Sequence, residues 1–405
     1  MIQFRKHAII ALIFFLAAAT LGLLLRYFAV SSIEFEYRYV VHAHSHVALL
    51  GWVYFALITL IGHYFLKDAI PKKIYNSIFG FTMITVVGMM VTFPFTGYAL
   101  FSIIFSTLFL FASYFYAWAF FKFTPKGQKN SPAYKTVKYA VIYLLISSIG
   151  PWTIGGVMAT LGPESLWYRT SIYFYLHFQY NAWMILGVIG IFLKVLENHD
   201  IRIDKTLFKR FLITFNSGVI LTFFISILFT EPHISAYVLS VIGSMIQLAA
   251  LLLLLKFIRT YYRDIGLVFG KIGWQLMRWS FFLLLIKMLM QLLGSFQYTA
   301  DLITNNTYLT IGFLHWVFLG VVTMGLLALL QKAELIRLNP INIRLYVIGF
   351  ALTELVIFYK PAEQILGFPY LPQYDWLLFV ASILMVIGIT SILIFQMGKN
   401  SKDRS

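Results

Sequence analysis

The chain has 405 residues, of which 60% are hydrophobic and 11% charged, with a mean hydropathy of +0.84 and a formal net charge of +16. A soluble domain carries about 25% charged residues, so a chain this apolar cannot cover itself with polar surface in water and reads as an all-α, polytopic membrane protein. It has no cysteine, which excludes disulfides, thiolate metal sites, iron–sulfur clusters and covalently attached c-type haem and leaves His, carboxylate, Tyr or Met for any metal chemistry.

A spanning helix needs about 20 mostly apolar residues. Twelve stretches qualify, and the connections between them are short, so the chain is expected to be a single transmembrane domain over 1–405. The first, 7–30, lacks a small-residue cleavage signature and is read as retained. The second, 43–66, opens on "HAHSHVALLGW", with His42, His44 and His46 leading into an apolar run. Spans 74–96, 98–121 and 139–161 follow, and then 170–193, which carries "LHFQYNAW" with His177, Gln179, Tyr180, Asn181 and Trp183. Next come 208–230, which has no histidine, and 235–258. Span 273–295 holds Lys287 and Gln291 at i, i+4; span 308–331 holds His315; span 343–359 holds Glu354; and 376–397 is the last.

Charge placement supports the count. With both termini cytoplasmic and sides alternating, almost all of the 31 Lys and Arg fall inside; only Arg26, Arg38, Arg169 and Lys360 fall outside, and Lys287 lies within a span. This is the positive-inside pattern of a cell-membrane protein. It accounts for the basic charge without nucleic acid and makes membrane lipid, anionic lipid on the inner face included, a partner.

The histidines divide by depth. His7, His63 and His199 lie near the inner side, whereas His42, His44, His46, His177 and His315 lie in the outer third on three different spans, with His233 in an outer loop. A lone intramembrane His is most often a hydrogen-bonded interior residue, but three helices bringing imidazoles to one depth point to function. At about 100° per residue, His42 and His46 share a face and His44 points away. Such an i, i+4 pair suits zinc or copper, and a flat macrocycle between helices takes one axial imidazole from each side. His46 and His315 are each followed five residues on by glycine, Gly51 and Gly320, small positions that suit a ring's close approach. His177 and Asn181 share a face of their span. A buried Lys287 and a buried Glu354 on different spans suggest an ion pair or a proton-carrying pair.

These features resemble subunit I of the heme-copper oxidase superfamily, and "HAHSHVALLGW" is similar to the HAH stretch of the NnrS family of haem- and copper-containing proteins of nitric-oxide tolerance. The resemblance covers the whole chain in helix count through short motifs. It implies a heme-copper-oxidase-like bundle with a b-type haem held by His46 (or neighbouring His42 or His44) and by His315. It implies a possible copper near His177, with Asn181 where nitric-oxide reductases place a Glu, and a role in electron transport or nitric-oxide binding with a small gas or redox partner. Arg38 and Arg169, the outer loop arginines, are the expected haem-propionate partners. The departures are as specific. The 208–230 span, "LFKRFLITFNSGVILTFFISILFT", lacks the family's paired copper-binding histidines, and Phe313 replaces the high-spin haem ligand. The oxygen-reducing haem–copper centre is therefore not expected, whereas the low-spin pair is. A twelve-helix solute transporter, or an assembly protein that lost its cofactor, is the alternative.

Overall fold

The computed structural model describes residues 2–33 and 35–398; the basic tail counted above, Lys399, Lys402 and Arg404, lies outside the described residues. The protein is an all-α polytopic membrane protein. Twelve helices are long and apolar enough to cross a membrane: α1 Phe4–Tyr27, α2 Tyr37–Leu66, α3 Lys72–Thr96, α4 Leu100–Phe123, α5 Pro132–Thr160, α6 Leu166–Glu197, α7 Lys205–Thr230, α8 Ile234–Thr260, α9 Tyr262–Leu293, α10 Thr307–Lys332, α11 Pro340–Leu366 and α12 Tyr374–Met397. No strand occurs among the described residues.

Local sequence explains the ends. Ser131 and Asp204 cap α5 and α7 by accepting from Tyr134 N and Leu207 N, as short oxygen-bearing side chains do at orphan amides. Asn339 and Asn342 form a reciprocal cap on α11, with Pro340 in the first turn. Gly97 closes α3 at φ +58°, and a Cβ there would run into the Tyr39 ring of α2, so glycine is required twice over. In α9 the chain breaks at Gly270, φ 66°, and the membrane-length helix runs from there to Leu293.

The single domain read from the sequence is built as two compact units. Unit one comprises Met1–Thr124 and Leu326–Ser405, and unit two comprises Pro125–Gly325, the boundary falling inside α10. In unit one, α1 packs against α2 and α12, α3 pairs with α4 and also meets α2, and α11 pairs with α12. In unit two, α5 packs on α6, α7 pairs with α8, α8 with α9 and α9 with α10. The helices that carry His42, His44 and His46, His177 and His315 are the interior ones. Within their apolar windows α2 and α6 are 89% buried and α10 is 67% buried, whereas no other span exceeds 50%. The outward aromatic and aliphatic side chains of the remaining spans are what a lipid-facing surface requires.

With lipid as apolar as leucine, close backbone approach at small residues does much of the work of holding helices together. The α11–α12 pair shows this reciprocally. A Cβ on Gly349 would sit 2.6 Å from Met385 Cα, and one on Gly388 would sit 2.6 Å from Tyr346 N. Both obstacles are backbone and cannot swing aside. Gly349→Val and Gly388→Val are each expected to lower the stability of the detergent-solubilised protein by about 1–3 kcal/mol or more, the usual cost of overpacking. A thermal-unfolding midpoint equal to wild type in either variant would show that the two helices are not in backbone contact.

Candidate functional site

In unit one the three clustered histidines separate as a 100° step requires. His42 and His46 lie on one face. The His46 ring centroid is 4.4 Å from that of Phe93 and 6.1 Å from that of Tyr98, and His42 lies 4.6 Å from Tyr98 and 6.1 Å from Phe93. His44 points the other way, toward α1, where its Nδ1 donates to the Ala18 carbonyl at 2.9 Å. Its ring occupies the space Gly22 leaves open, since a Cβ on Gly22 would lie 2.9 Å from His44 Cε1.

His46 is anchored by its own helix: Nδ1 donates to the His42 carbonyl at 2.8 Å. That bond fixes the tautomer and leaves the Nε2 lone pair directed away from the helix, the arrangement of an imidazole ready to ligate. His42 and His46 are both only partly buried. Arg38 is exposed in the first turn of α2, one turn before His42.

Directly after His46 the helix changes character. Residues Val47–Val53 form a π-helical segment, a widened turn frequent at functional sites. Two other π segments follow histidines in unit two, at Trp316–Val322 immediately after His315 and at Gln179–Met184 two residues after His177. In α10 the loosened carbonyls gain partners: Ser280 Oγ of α9 donates to Val321 O at 2.7 Å, and Thr323 Oγ1 donates to Phe318 O at 2.7 Å. Trp316 Nε1 donates to Leu283 O of α9 at 3.0 Å.

The position where the resemblance lacks a ligand, Phe313, packs edge-on against Tyr180 of α6 at 6.0 Å, with Phe318 on the same ring at 6.0 Å. That part of unit two is an aromatic contact. Arg169 is exposed; its Nε donates to Tyr173 OH at 3.2 Å and its guanidinium lies 4.4 Å over the Phe229 ring, a stacked cation–π arrangement.

His177 is committed within the protein. It is 1% exposed. Its Nε2 donates to the Val219 carbonyl of α7 at 2.9 Å, and its Nδ1 accepts from Asn181 Nδ2 at 3.0 Å. Copper binding there would have to break the bond from Asn181. Asn181 Oδ1 in turn accepts from Lys287 Nζ, and Lys287 also donates to Gln291 Oε1 at 2.5 Å. Where the sequence suggested Glu354 as its partner, Lys287 is bonded within unit two to two amides. Glu354 is buried in unit one, where Arg26 is the cation within electrostatic reach. Gly51 also differs from expectation. The space a ring would need is filled by Phe14 of α1, 2.9 Å from where a Cβ would stand, so this glycine serves helix packing.

Sequence reasoning missed the π segments and Gln247, a fully buried amide on α8 that accepts from Gln291 Nε2 at 2.7 Å. A single Gln in an otherwise apolar span was the available signal. Among the described residues no cluster of three or more His, Asp or Glu is arranged as a metal site. The chain matches no protein-family model and no curated protein sequence.

Proposed function

We propose that the chain is a haem-binding protein of the cell membrane, with a b-type haem ligated by imidazoles and a role in electron transfer or nitric-oxide binding. The observation that carries this reading is His46. It is an intramembrane imidazole whose Nδ1 is tied to its own helix at 2.8 Å, on a residue of intermediate burial, and whose helix widens into a π segment at the next residue. The donor set fits: imidazole nitrogen is the standard axial donor to b-type haem, and a partner that fixes the other ring nitrogen raises its basicity. His42, one turn away on the same face, has no hydrogen bond to either ring nitrogen among the described residues and can stand in for His46 or meet a bound gas. His44 is held against α1 and positions the helix. On the strength of the resemblance His315 would be the second haem ligand, and Arg38 and Arg169 would hold propionates. A haem so held supplies reversible one-electron transfer, and gas binding when a coordination position opens. Purification in mild detergent followed by pyridine haemochrome quantification is expected to give near-stoichiometric b-type haem; protein that carries none when expressed with ample haem supply contradicts the reading.

The topology belongs to the same proposal. Lys126, Lys129 and Arg202 in the connections after α4 and after α6, with Lys205 at the start of α7, support a cytoplasmic side for both connections and, by alternation, for both termini. Reporter fusions in these two connections are expected to read cytoplasmic. An external reading at either one breaks the twelve-span orientation.

A further inference from the structure

Unit two contains a continuous polar line through the interiors of α6, α7, α8 and α9, and its direction is fixed at one end. The Val219 carbonyl can only accept, so His177 Nε2 carries the hydrogen and Nδ1 is a lone pair. Asn181 must therefore present its Nδ2 to the ring and its Oδ1 to Lys287. On the other side Lys287 donates to Gln291 Oε1 at 2.5 Å, and Gln291 Nε2 donates to Gln247 Oε1 at 2.7 Å. Gln247 Nε2 is then left buried with no hydrogen-bond partner among the described residues.

Each side-chain acceptor in this line faces a donor. Donors outnumber acceptors in the line: Gln247 Nε2 has no hydrogen-bond partner among the described residues, and a Lys287 ammonium has a third N–H beyond its bonds to Asn181 and Gln291. Lys287 and Gln247 are both 0% exposed, and among the described residues no carboxylate lies within ion-pair distance of Lys287. A buried ammonium without a counter-charge costs several kcal/mol, a cost that a negative, acceptor-only group beside it removes.

Two further features lie at the same place. The backbone of α6 opens into the Gln179–Met184 π segment around Asn181. On α7, Gly218 leaves the space that the Gln247 side chain fills.

We propose that Lys287 and Gln247 are the two donors of an intramembrane site for a small monovalent anion, with Gln291 setting the spacing between them. The ligand class follows from charge and desolvation. One negative charge neutralises Lys287, whereas a dianion would leave a net buried charge and cost more to strip of water. Halide and small oxyanion share the required chemistry. The site is independent of the haem reading, because all of its residues lie in unit two and none is a proposed axial ligand.

The test uses the purified full-length protein in detergent. Sodium chloride, sodium nitrate and sodium gluconate are compared at constant sodium concentration and pH, reading the thermal-unfolding midpoint. A ligand that binds only the folded state raises the midpoint in a saturable way. Chloride, nitrate or both are expected to do so, whichever the site accepts, and gluconate, too large for a buried site, is not. Lys287→Gln and Gln247→Leu are each expected to weaken the apparent affinity at least tenfold. If Lys287→Gln does not fold, Gln247→Leu decides. A wild-type midpoint with no saturable dependence on chloride or nitrate overturns the proposal, and so does an anion effect that survives in the folded variants, since the site would then lie elsewhere.

Discussion

His315→Ala is expected to abolish the low-spin haem spectrum, and to do so more completely than any single substitution among His42, His44 and His46. The asymmetry follows from what each helix offers. A six-coordinate haem needs a nitrogen on each face, and α10 carries no imidazole besides His315. On α2, His46 has His42 one turn away on the same face, both rings against Phe93 and Tyr98, so loss of one can be partly compensated by the other. The double variant His42→Ala, His46→Ala removes that reserve and is expected to match His315→Ala. His44→Ala is expected to act on packing, because its ring is bonded to Ala18 O and sits in the space left by Gly22. A five-coordinate product that binds carbon monoxide or nitric oxide freely would be the spectroscopic signature of the ligand variants. A His315→Ala protein with an unaltered low-spin spectrum would remove His315 from the ligand set.

Asn181→Leu is expected to be among the most destabilising single substitutions in unit two. Asn181 accepts from Lys287 and donates to His177, so leucine leaves a buried ammonium with one acceptor instead of two and an imidazole lone pair with no donor. Leaving a buried polar group without its hydrogen-bond partner costs about 1–3 kcal/mol, and more when the group is charged. An interhelical hydrogen bond inside a membrane contributes about 0.6 kcal/mol on average. The charge term decides the outcome, because the chain cannot carry Lys287 to water without opening the bundle. Gln179→Leu, which removes one neutral bond to Ser147 Oγ, is therefore expected to cost far less. Asn181→Asp keeps an acceptor for Lys287 and is expected to fall between them. Equal unfolding midpoints for Asn181→Leu and Gln179→Leu would show that Lys287 does not depend on the amide.

Much of this was legible in the sequence, for definite reasons. Spans are set by length and apolarity, and the helical break at Gly270 falls just before the stretch that begins at 273. The division of His42 and His46 from His44 needed only the angular step of a helix. Burial inside apolar spans is also readable: Lys287 and His177 fall within such spans and are buried. Azimuth and partner are not: the sequence offered Glu354 to Lys287, and the fold gives it Asn181 and Gln291. Nor could the π segments be foreseen, since in α10 they are held by Ser280 of another helix, a tertiary cause with no local signature. Gly51 was misjudged for the same reason: a glycine shows where something comes close, and here Phe14 does. The boundary between the two units falls at Gly325, inside an apolar helix with no change of composition to mark it.

The central claim is that imidazoles of this chain ligate a haem, and the most direct test is the optical spectrum of the purified wild-type protein, recorded oxidised, dithionite-reduced, and reduced under carbon monoxide. A Soret band, a reduced α-band of b type and little change with carbon monoxide are expected, since two imidazole ligands would leave no open position on the iron. A protein that folds with its helical content intact, is supplied with haem, and shows no Soret band would contradict it.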